Sequence, residues 1–404
     1  MKTTRLVSAL MVLALLIVAC TGATPAPAAG PSVQVEDEWG VVTVAKGDPI
    51  RIGLGAALSG AGLDILGIDE QRGAELAISD KGTIMGFEIE LVAEDDVCSA
   101  EGGITVANKF VSDPSIVAVV GQMCSSGCLA AMDIYQEHGY TMVSPSCTAV
   151  VLTTRGNESF HRVCWNDAIQ GPAAAKFLRE EVGVETVATV HDGSPYGEGL
   201  VNEMAAAFEA AGGTVVAREA VNVGDTDMRP LLERIKSAGP EAIYFGGFVA
   251  EGAYLASQRV DVGMEDVVFM GADGILATDF IRAAGEAAEG VYASAANPAE
   301  AGAGMEKFLA DYEAAYGEKP PAPFHAHAYD AAMVIMNAIE KVAQVDAEGN
   351  LLIGRKALNE AIGSTANYQG LSGVITCDEV GNCGTGTVAV SQVRNGAFEV
   401  IWPK

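Results

Sequence analysis

The sequence predicts an α/β protein with two doubly wound lobes, each built on a parallel β-sheet covered by helices. Three observations favour this fold class. Short runs of β-branched residues alternate with alanine-rich stretches from Pro49 onward, as βαβ units require. The alternation runs through two successive series, which indicates two sheets. Apolar residues make up 50% of the 404 residues and charged residues only 19%, which excludes disorder throughout the chain.

The predicted elements follow one another in a regular order. In the first series, strands are predicted at 50–55, 87–92, 116–120 and 141–143, and helices at 69–79, 102–111 and 125–138. In the second series, strands are predicted at 186–190, 214–216, 242–245 and 267–270, and helices at 196–211, 228–238 and 250–260. Valine-rich runs such as 116–120 are typical of parallel strands that are buried on both faces. Ligands of such sheets bind at the carboxyl ends of the strands, near helix N-termini.

The N-terminus has the pattern of an exported bacterial protein. Lys2 and Arg5 precede a short apolar run, which is typical of a secretion signal and too short for a membrane span. The run ends in Ile-Val-Ala-Cys20 and resembles the lipobox of bacterial lipoproteins, in which the cysteine sulfur receives a lipid. We expect residues 1–19 to be a signal peptide and residues 20–48 to be the lipidated cysteine and a flexible tether. The alternative is an ordinary secretion signal with a coincidental cysteine.

The composition also narrows the range of partners. The formal net charge is −29, with 53 acidic and 24 basic residues. This balance argues against nucleic acid and against a polybasic membrane-binding patch, since both depend on Lys and Arg. No segment after the N-terminal run is apolar and long enough to predict a membrane span.

Seven cysteines remain after Cys20, and extracytoplasmic cysteines usually pair. Cys377 and Cys383 flank a turn-like stretch, so we expect a hairpin disulfide there. An odd number leaves at least one thiol unpaired or paired between chains. A metal site is the weaker interpretation, because there is no CxxC motif and the close pair His325 and His327 has no cysteine beside it.

The candidate enzyme motifs in the sequence are either incomplete or have a simpler structural explanation. The stretch that begins at Gly53 and Gly55 lacks the third glycine of a dinucleotide fingerprint, and a tight turn after a strand explains it better. Asp95 and Asp96 end a predicted strand, where a solvated loop or a cap is the simpler interpretation. Patterns of serine hydrolases, zinc proteases and P-loops are missing from the sequence. We therefore predict no enzyme and no cofactor.

A series of segments carries a family resemblance. In chain order they are Asp95-Asp96-Val-Cys98, Gly121-Gln-Met-Cys124-Ser125-Ser126, Asp133-Ile-Tyr135, Ser144-Pro145-Ser146-Cys147-Thr148, Gln170-Gly171-Pro172, His191-Asp192, Tyr196-Gly197-Glu198-Gly199, Gly246-Gly247-Phe248 and Phe269-Met270-Gly271. In this order they resemble the leucine/isoleucine/valine-binding proteins of bacterial ABC importers, which have the type I periplasmic binding protein fold. The resemblance spans about residues 49–402, and ordered matches over a whole chain are far more specific than one motif.

The resemblance implies how the two lobes are assembled. Lobe 1 would comprise 49–168 and 297–375, and lobe 2 would comprise 169–296 and 386–404. Three crossing segments, near 166–171, 294–298 and 372–388, would form the hinge. The resemblance also pairs Cys98 with Cys124. Two of Cys128, Cys147 and Cys164 would then pair, and the sequence does not say which two.

The resemblance also implies an amino-acid site in the cleft between the lobes. The ligand carboxylate would be bound at a helix start by Ser125, with Ser146 and Thr148 beside it. Asp273, where the family usually has Glu, would reach the ammonium as the one carboxylate of the pocket. The other implied contacts are the largely apolar side chains of Leu66, Tyr196, Phe248 and Phe324. Taken singly, Ser125 also fits an N-cap, Asp273 an Asp-Gly turn, and each apolar residue plain packing.

The expected function follows from these implications. We expect an extracytoplasmic lipoprotein, monomeric and anchored to the cell membrane, that captures a small aliphatic amino acid and delivers it to an ABC permease. Two alternatives stay open, namely a ligand-sensing receptor of the same fold and a binder of an amide-type solute. A neighbouring permease and ATPase gene pair would argue against the sensor.

Overall fold

Two parallel β-sheets organise the protein in a computed structural model that describes residues 34–60, 62–384 and 386–403. The strands are β1 Val41–Val44, β2 Ile50–Ala56, β3 Thr83–Ile84, β4 Phe87–Asp95, β5 Ile116–Gly121, β6 Met142–Ser144, β7 Phe160–Arg162, β8 Thr186–His191, β9 Thr214–Ala220, β10 Ala242–Gly246, β11 Val268–Gly271, β12 Tyr292–Ala296, β13 Gln344–Val345, β14 Leu351–Gly354, β15 Tyr368–Gln369, β16 Val374–Ile375, β17 Val388–Arg394 and β18 Ala397–Trp402. The helices are α1 Asp64–Lys81, α2 Ala100–Ser112, α3 Ser125–Glu137, α4 Val151–Thr154, α5 Asp167–Lys176, α6 Pro195–Ala210, α7 Arg229–Ala238, α8 Val249–Asp261, α9 Thr278–Ala284, α10 Met305–Tyr316, α11 His325–Val342 and α12 Arg355–Gly363. None of the helices in these ranges is long and apolar enough to cross a membrane.

The first sheet has the strand order β3-β4-β2-β5-β6-β7. All neighbours are parallel except β3, which pairs antiparallel with β4. Every residue of β5 is buried, because helices cover both faces of the sheet. Val120 packs in the core that α1 and α11 complete, whereas Val119 packs with α2 and α3. Neighbouring side chains of one strand therefore serve two helical layers.

The second sheet has the strand order β18-β17-β12-β11-β10-β8-β9. The strands from β9 to β12 are parallel, and β17 and β18 add an antiparallel edge. Tyr244 packs in a core with α6, and Phe245 packs in another with α7 to α9. Both sheets are thus covered on two faces, and the predicted fold class is confirmed.

All strands and helices predicted for the two series are present, with boundaries that shift by a few residues. The largest extension is at α1, which begins at Asp64 ahead of the predicted 69–79. A small antiparallel sheet, β1-β14-β13, and the β15-β16 pair were not predicted. β1 and its partner β14 lie about 310 positions apart in the sequence, so local pattern gives no sign of their pairing.

The predicted tether over 20–48 is wrong in its last part. Val42 and Val44 of β1 are 2% and 5% exposed, and β1 pairs with β14 of the folded body. The Asp37 carboxylate accepts hydrogen bonds from the backbone N–H groups of Lys356 and Ala357 at the start of α12. Alternating valines bury themselves once β14 provides a partner strand. The predicted signal peptide and Cys20 lie outside the described residues.

Three disulfides occur in the described chain. Cys98 is bonded to Cys124 and Cys377 to Cys383, as expected. The third bond joins Cys128 to Cys147, which settles the pairing that the sequence left open. Cys164 is a buried free thiol. The pairing of Cys128 with Cys147 depends on the tertiary structure, because the loop after β6 passes beside the first turn of α3.

Candidate ligand-binding site

A cavity with about 340 Å³ of empty space is lined by residues from the elements of both sheets. From the first-sheet side come Leu66, Glu70, Met123, Cys124, Ser125, Ser146 and Phe324. From the second-sheet side come Tyr196, Phe248, Asp273 and Gly274. Most of these residues follow the carboxyl ends of parallel strands, where doubly wound sheets bind ligands. Of the predicted ligand contacts, the structure brings together all but Thr148.

One wall of the cavity is the start of α3. Cys124 occupies the N-cap position without a side-chain cap, and Ser125 is the first helical residue. The first N–H groups of a helix lack intrahelical acceptors and carry partial positive charge. The Ser125 hydroxyl accepts a hydrogen bond from Ala149 N at 3.2 Å, and the disulfide to Cys98 anchors Cys124. This wall can therefore donate hydrogen bonds to an anion.

The loop after β6 supports the same wall. The Ser146 hydroxyl donates to the carbonyl of Met123 at 2.7 Å, and the Ser144 hydroxyl donates to the carbonyl of Gln122 at 2.8 Å. Thr148 is fully buried and does not line the cavity. Its carbonyl accepts the N–H of Asp167 at 3.0 Å. Thr148 thus supports the start of α5 behind the wall.

Asp273 forms the acidic part of the second-sheet wall and is 4% exposed. Its Oδ1 accepts hydrogen bonds from Gln170 Nε2 at 2.6 Å and from the Tyr196 hydroxyl at 3.1 Å. Gln170 also accepts from Trp165 Nε1 at 2.7 Å and donates to the carbonyl of Ser294 at 3.0 Å. Burial raises the pKa of Asp273 to about 6, although the hydrogen bonds from Gln170 and Tyr196 oppose the rise. This positioning role of Gln170 was not predicted from the sequence.

Aromatic and aliphatic side chains form the rest of the lining. Phe248 lies against the ring of Tyr196 with 5.3 Å between centroids. Phe324 stacks on Trp165 at 5.4 Å, and Leu66 completes the apolar surface from α1. Phe248 and Phe324 therefore pack against neighbouring rings and also line the cavity.

Glu70 lines the cavity and was not predicted. It is 0% exposed, and neither of its carboxylate oxygens has a hydrogen-bond partner in the described chain. Burial raises the pKa of Glu70 well above its ordinary range, the Ser146 hydroxyl opposes the rise, and the carboxyls of Asp69 and Asp96 add to it. The expectation of a single pocket carboxylate is therefore wrong. Glu70 follows Leu66 by four positions on α1, so helical spacing could have indicated it.

The close packing of α1 explains how these side chains reach the cavity. A Cβ atom on Gly67 would lie 1.8 Å from the carbonyl oxygen of Ala57, so the helix rests directly on the end of β2. Asp69 Oδ2 accepts hydrogen bonds from the N–H groups of Phe324 and His325, at 3.0 and 2.7 Å. The neighbouring acid thus positions the start of α11.

One group of possible metal ligands occurs among the described residues, formed by His161, Cys377 and Cys383. The two cysteines form a disulfide, so they offer no thiolate to a metal. His161 Nε2 lies 2.9 Å from the side-chain oxygen of Asn359. This group is therefore explained by structural contacts.

Residues 49–397 match the model of a family described as periplasmic binding protein. The chain belongs to this family. This periplasmic binding protein is 36% identical over 304 residues to the leucine-, isoleucine-, valine-, threonine- and alanine-binding protein of Pseudomonas aeruginosa, a match that covers 74% of this chain and 80% of that protein. It is 35% identical over 251 residues to the Leu/Ile/Val-binding protein of Escherichia coli, covering 61% of this chain and 68% of that one.

Two solved structures are similar to this periplasmic binding protein over most of its length. The leucine-binding protein LivK of Thermotoga maritima is 30% identical, with a TM-score of 0.80, and covers 87% of this chain and 97% of its own. LivJ of Streptococcus pneumoniae, in complex with isoleucine, is 27% identical, with a TM-score of 0.77, and covers 88% of this chain and 100% of its own. The resemblance that the sequence motifs carried is confirmed.

Proposed function

We propose that this protein captures a small amino acid with an aliphatic side chain and delivers it to an ABC importer. One observation carries the proposal: a single cavity is lined by the start of α3 at Ser125 and by the carboxylate of Asp273. A zwitterion needs an anion site and a cation site, and these two walls offer one of each. Thr148 takes no part in this assignment, since it lies behind the wall.

The lining and the relatives support an aliphatic side chain. Leu66, Phe248 and Phe324 supply apolar surface, as the predominantly apolar linings of ligand sites do. Related proteins are named for leucine, isoleucine and valine, and LivJ was solved with isoleucine. Such a ligand requires binding and release only, so no covalent chemistry is assigned.

We propose that the cavity closes by a hinge motion between lobe 1 (49–168 with 297–375) and lobe 2 (169–296 with 386–404). The strand order supports this division, because β17 and β18 join the second sheet. Gln170 and Ser294 lie in two of the proposed crossings, near 166–171 and 294–298, and they are hydrogen-bonded to each other. The third crossing is near 372–388.

The proposed location is extracytoplasmic, with a lipid on Cys20 that anchors a monomer near its permease. Family membership supports the extracytoplasmic part, and the lipobox-like sequence supports the anchor. A Cys20→Ala variant expressed in a bacterial host should move from the membrane fraction to the soluble fraction. An unchanged distribution would contradict the lipid anchor and leave the binding function as it is.

The binding function is tested by calorimetric titration of protein that has been unfolded, freed of ligand and refolded. We expect saturable heat with leucine, isoleucine or valine within a panel of amino acids. Mass spectrometry of the denatured native protein should identify the same compound as a copurified ligand. No heat with any amino acid in a sample with native circular dichroism would refute the proposal. A copurified amide would identify the amide-solute alternative.

A further inference from the structure

We propose that Glu70 recognises a hydrogen-bonding group on the ligand side chain, so that the cavity binds a hydroxyl amino acid about as well as its aliphatic isostere. The inference rests on the proposed function, since it assigns selectivity within the same cavity. Threonine and valine are the matched pair, because they differ only in a hydroxyl group and a methyl group. Glu70 would then be a specificity-determining residue on the first-sheet wall.

Neither carboxylate oxygen of Glu70 accepts a hydrogen bond from the described chain, and the nearby Ser146 hydroxyl donates instead to the carbonyl of Met123. A buried polar group without a partner costs stability, so such groups are rare in native structures. Asp330 is buried as well, but it accepts hydrogen bonds from Leu371 N, Ser372 N and the Ser372 hydroxyl. Asp69 holds the start of α11. Glu70 has no such structural role, and it lines the cavity.

Glu70 lies on the opposite side of the cavity from Asp273, which is the proposed ammonium site. The carboxyls that act on Glu70 are Asp69 and Asp96, on its own side of the cavity. Asp273 is held on the other side by Gln170 and Tyr196. The ligand ammonium is therefore assigned to Asp273. Glu70, on the first-sheet side, is left to contact the ligand side chain.

The protonation state of Glu70 also suits a hydroxyl partner. Burial favours the uncharged acid of Glu70, because no cation of the described residues stabilises the charged form and the Ser146 hydroxyl opposes the rise of the pKa only in part. A neutral carboxyl both donates and accepts a hydrogen bond. A ligand hydroxyl does the same, so the two groups complement each other without bringing a charge into the cavity. A ligand with a second ammonium would instead need an ionised Glu70.

The experiment compares valine with threonine by calorimetry on the refolded wild type. An apolar site without a partner for the hydroxyl would bind threonine about 100-fold more weakly than valine. With Glu70 as partner, we expect threonine to bind about as tightly as valine. In Glu70→Met, the ratio of the valine Kd to the threonine Kd should fall by about tenfold or more, the value of one hydrogen bond to a buried acid.

Two further variants separate this role from a general effect of substitution. Glu70→Gln keeps a donor and an acceptor and should retain most of the wild-type ratio. Glu251→Gln changes a buried glutamate of α8 that accepts from Gly224 N and does not line the cavity, so its ratio should equal that of the wild type. The wild-type comparison needs no variant, so it holds even if Glu70→Met does not fold.

The inference is overturned if the wild type disfavours threonine as strongly as an apolar site would, or if Glu70→Met leaves the ratio unchanged. Tighter binding of 2,4-diaminobutyrate than of threonine would also overturn it, because that result requires a charged Glu70. These outcomes leave valine binding intact, and hence the proposed function. Absence of heat with every amino acid in all the proteins would instead refute the proposed function.

Discussion

Replacing Asp273 tests the assignment of the ligand ammonium most directly. The side chain is 4% exposed and accepts hydrogen bonds from Gln170 and Tyr196. Asp273→Asn keeps an oxygen for these two donors and removes only the charge. Asp273→Ala removes the acceptor too and leaves the buried Tyr196 hydroxyl and one N–H of Gln170 without it, at a cost of about 1–3 kcal/mol of stability for each.

The expected loss of binding follows from the burial of the site. Removing one partner of a buried charge pair costs about 2–5 kcal/mol. The leucine Kd should therefore rise by about 30-fold to several thousand-fold. Asp273→Asn should show this loss with a small change in unfolding free energy, whereas Asp273→Ala should lose both affinity and stability. Asp279→Asn, which alters an acid paired with Arg282 outside the cavity, serves as the control.

Calorimetry with leucine and urea unfolding measure the two quantities. The pH dependence of affinity adds an independent check. Because the pKa of Asp273 is raised to about 6, protons compete with the ligand ammonium below that pH. Affinity should weaken as the pH falls, by at most about tenfold per pH unit, and Asp273→Asn should lose this dependence. If Asp273→Asn binds leucine as the wild type does, the ammonium site lies elsewhere.

Two further predictions concern stability and closure. Burial and the nearby Asp273 raise the pKa of Asp167 to about 8, so the folded state holds a proton that the unfolded chain releases. The free energy of unfolding should therefore fall as the pH rises from about 4 to 8, and Asp167 should contribute up to about 1.4 kcal/mol per pH unit. Urea unfolding measured over this pH range checks the prediction. An equally steep pH dependence in Asp167→Asn would contradict this cause. Gly62 belongs to the proposed lobe 1 and Val249 of α8 to the proposed lobe 2, and a Cβ on Gly62 would lie 2.8 Å from Val249. Gly62→Ala should therefore oppose closure of the lobes and weaken leucine binding in calorimetry. A second change, Val249→Ala, should restore part of the affinity. Gly60→Ala has a similarly strained φ without this contact, and an equal loss there would show that the strain alone weakens binding.

Local patterns were sufficient for most of the fold. The valine-rich run of β5 and the alanine-rich stretch of α6 were predicted from the sequence, and the structure shows β5 buried throughout and α6 capped by the Ser194 side chain. The β1-β14 pairing could not be predicted in the same way, because each strand is short and its partner is remote in the sequence. For the same reason the predicted tether, residues 20–48, wrongly included β1.

The candidate site was predictable where ordered motifs carried it. Ser125 and Asp273 were expected from segments that match a known family, and both line the cavity. Glu70 was missed, although α1 was predicted, because an acid at a helix start is usually solvated. Only burial against Ser146 and the loop after β5 turns it into a cavity residue. Thr148 has a polar side chain that suits a ligand, yet it is fully buried and does not line the cavity.

The sequence alone determined the class of fold, most of the strands and helices up to about residue 271, the family and most of the residues around the cavity. These features depend on short-range periodicity and on motifs that survive in linear order. Only the tertiary structure decided that Cys128 pairs with Cys147, that residues from 34 onward belong to the body, and that the cavity holds a second carboxyl. Each of these depends on which distant segments lie side by side, and burial between such segments sets the partners and the protonation of a side chain.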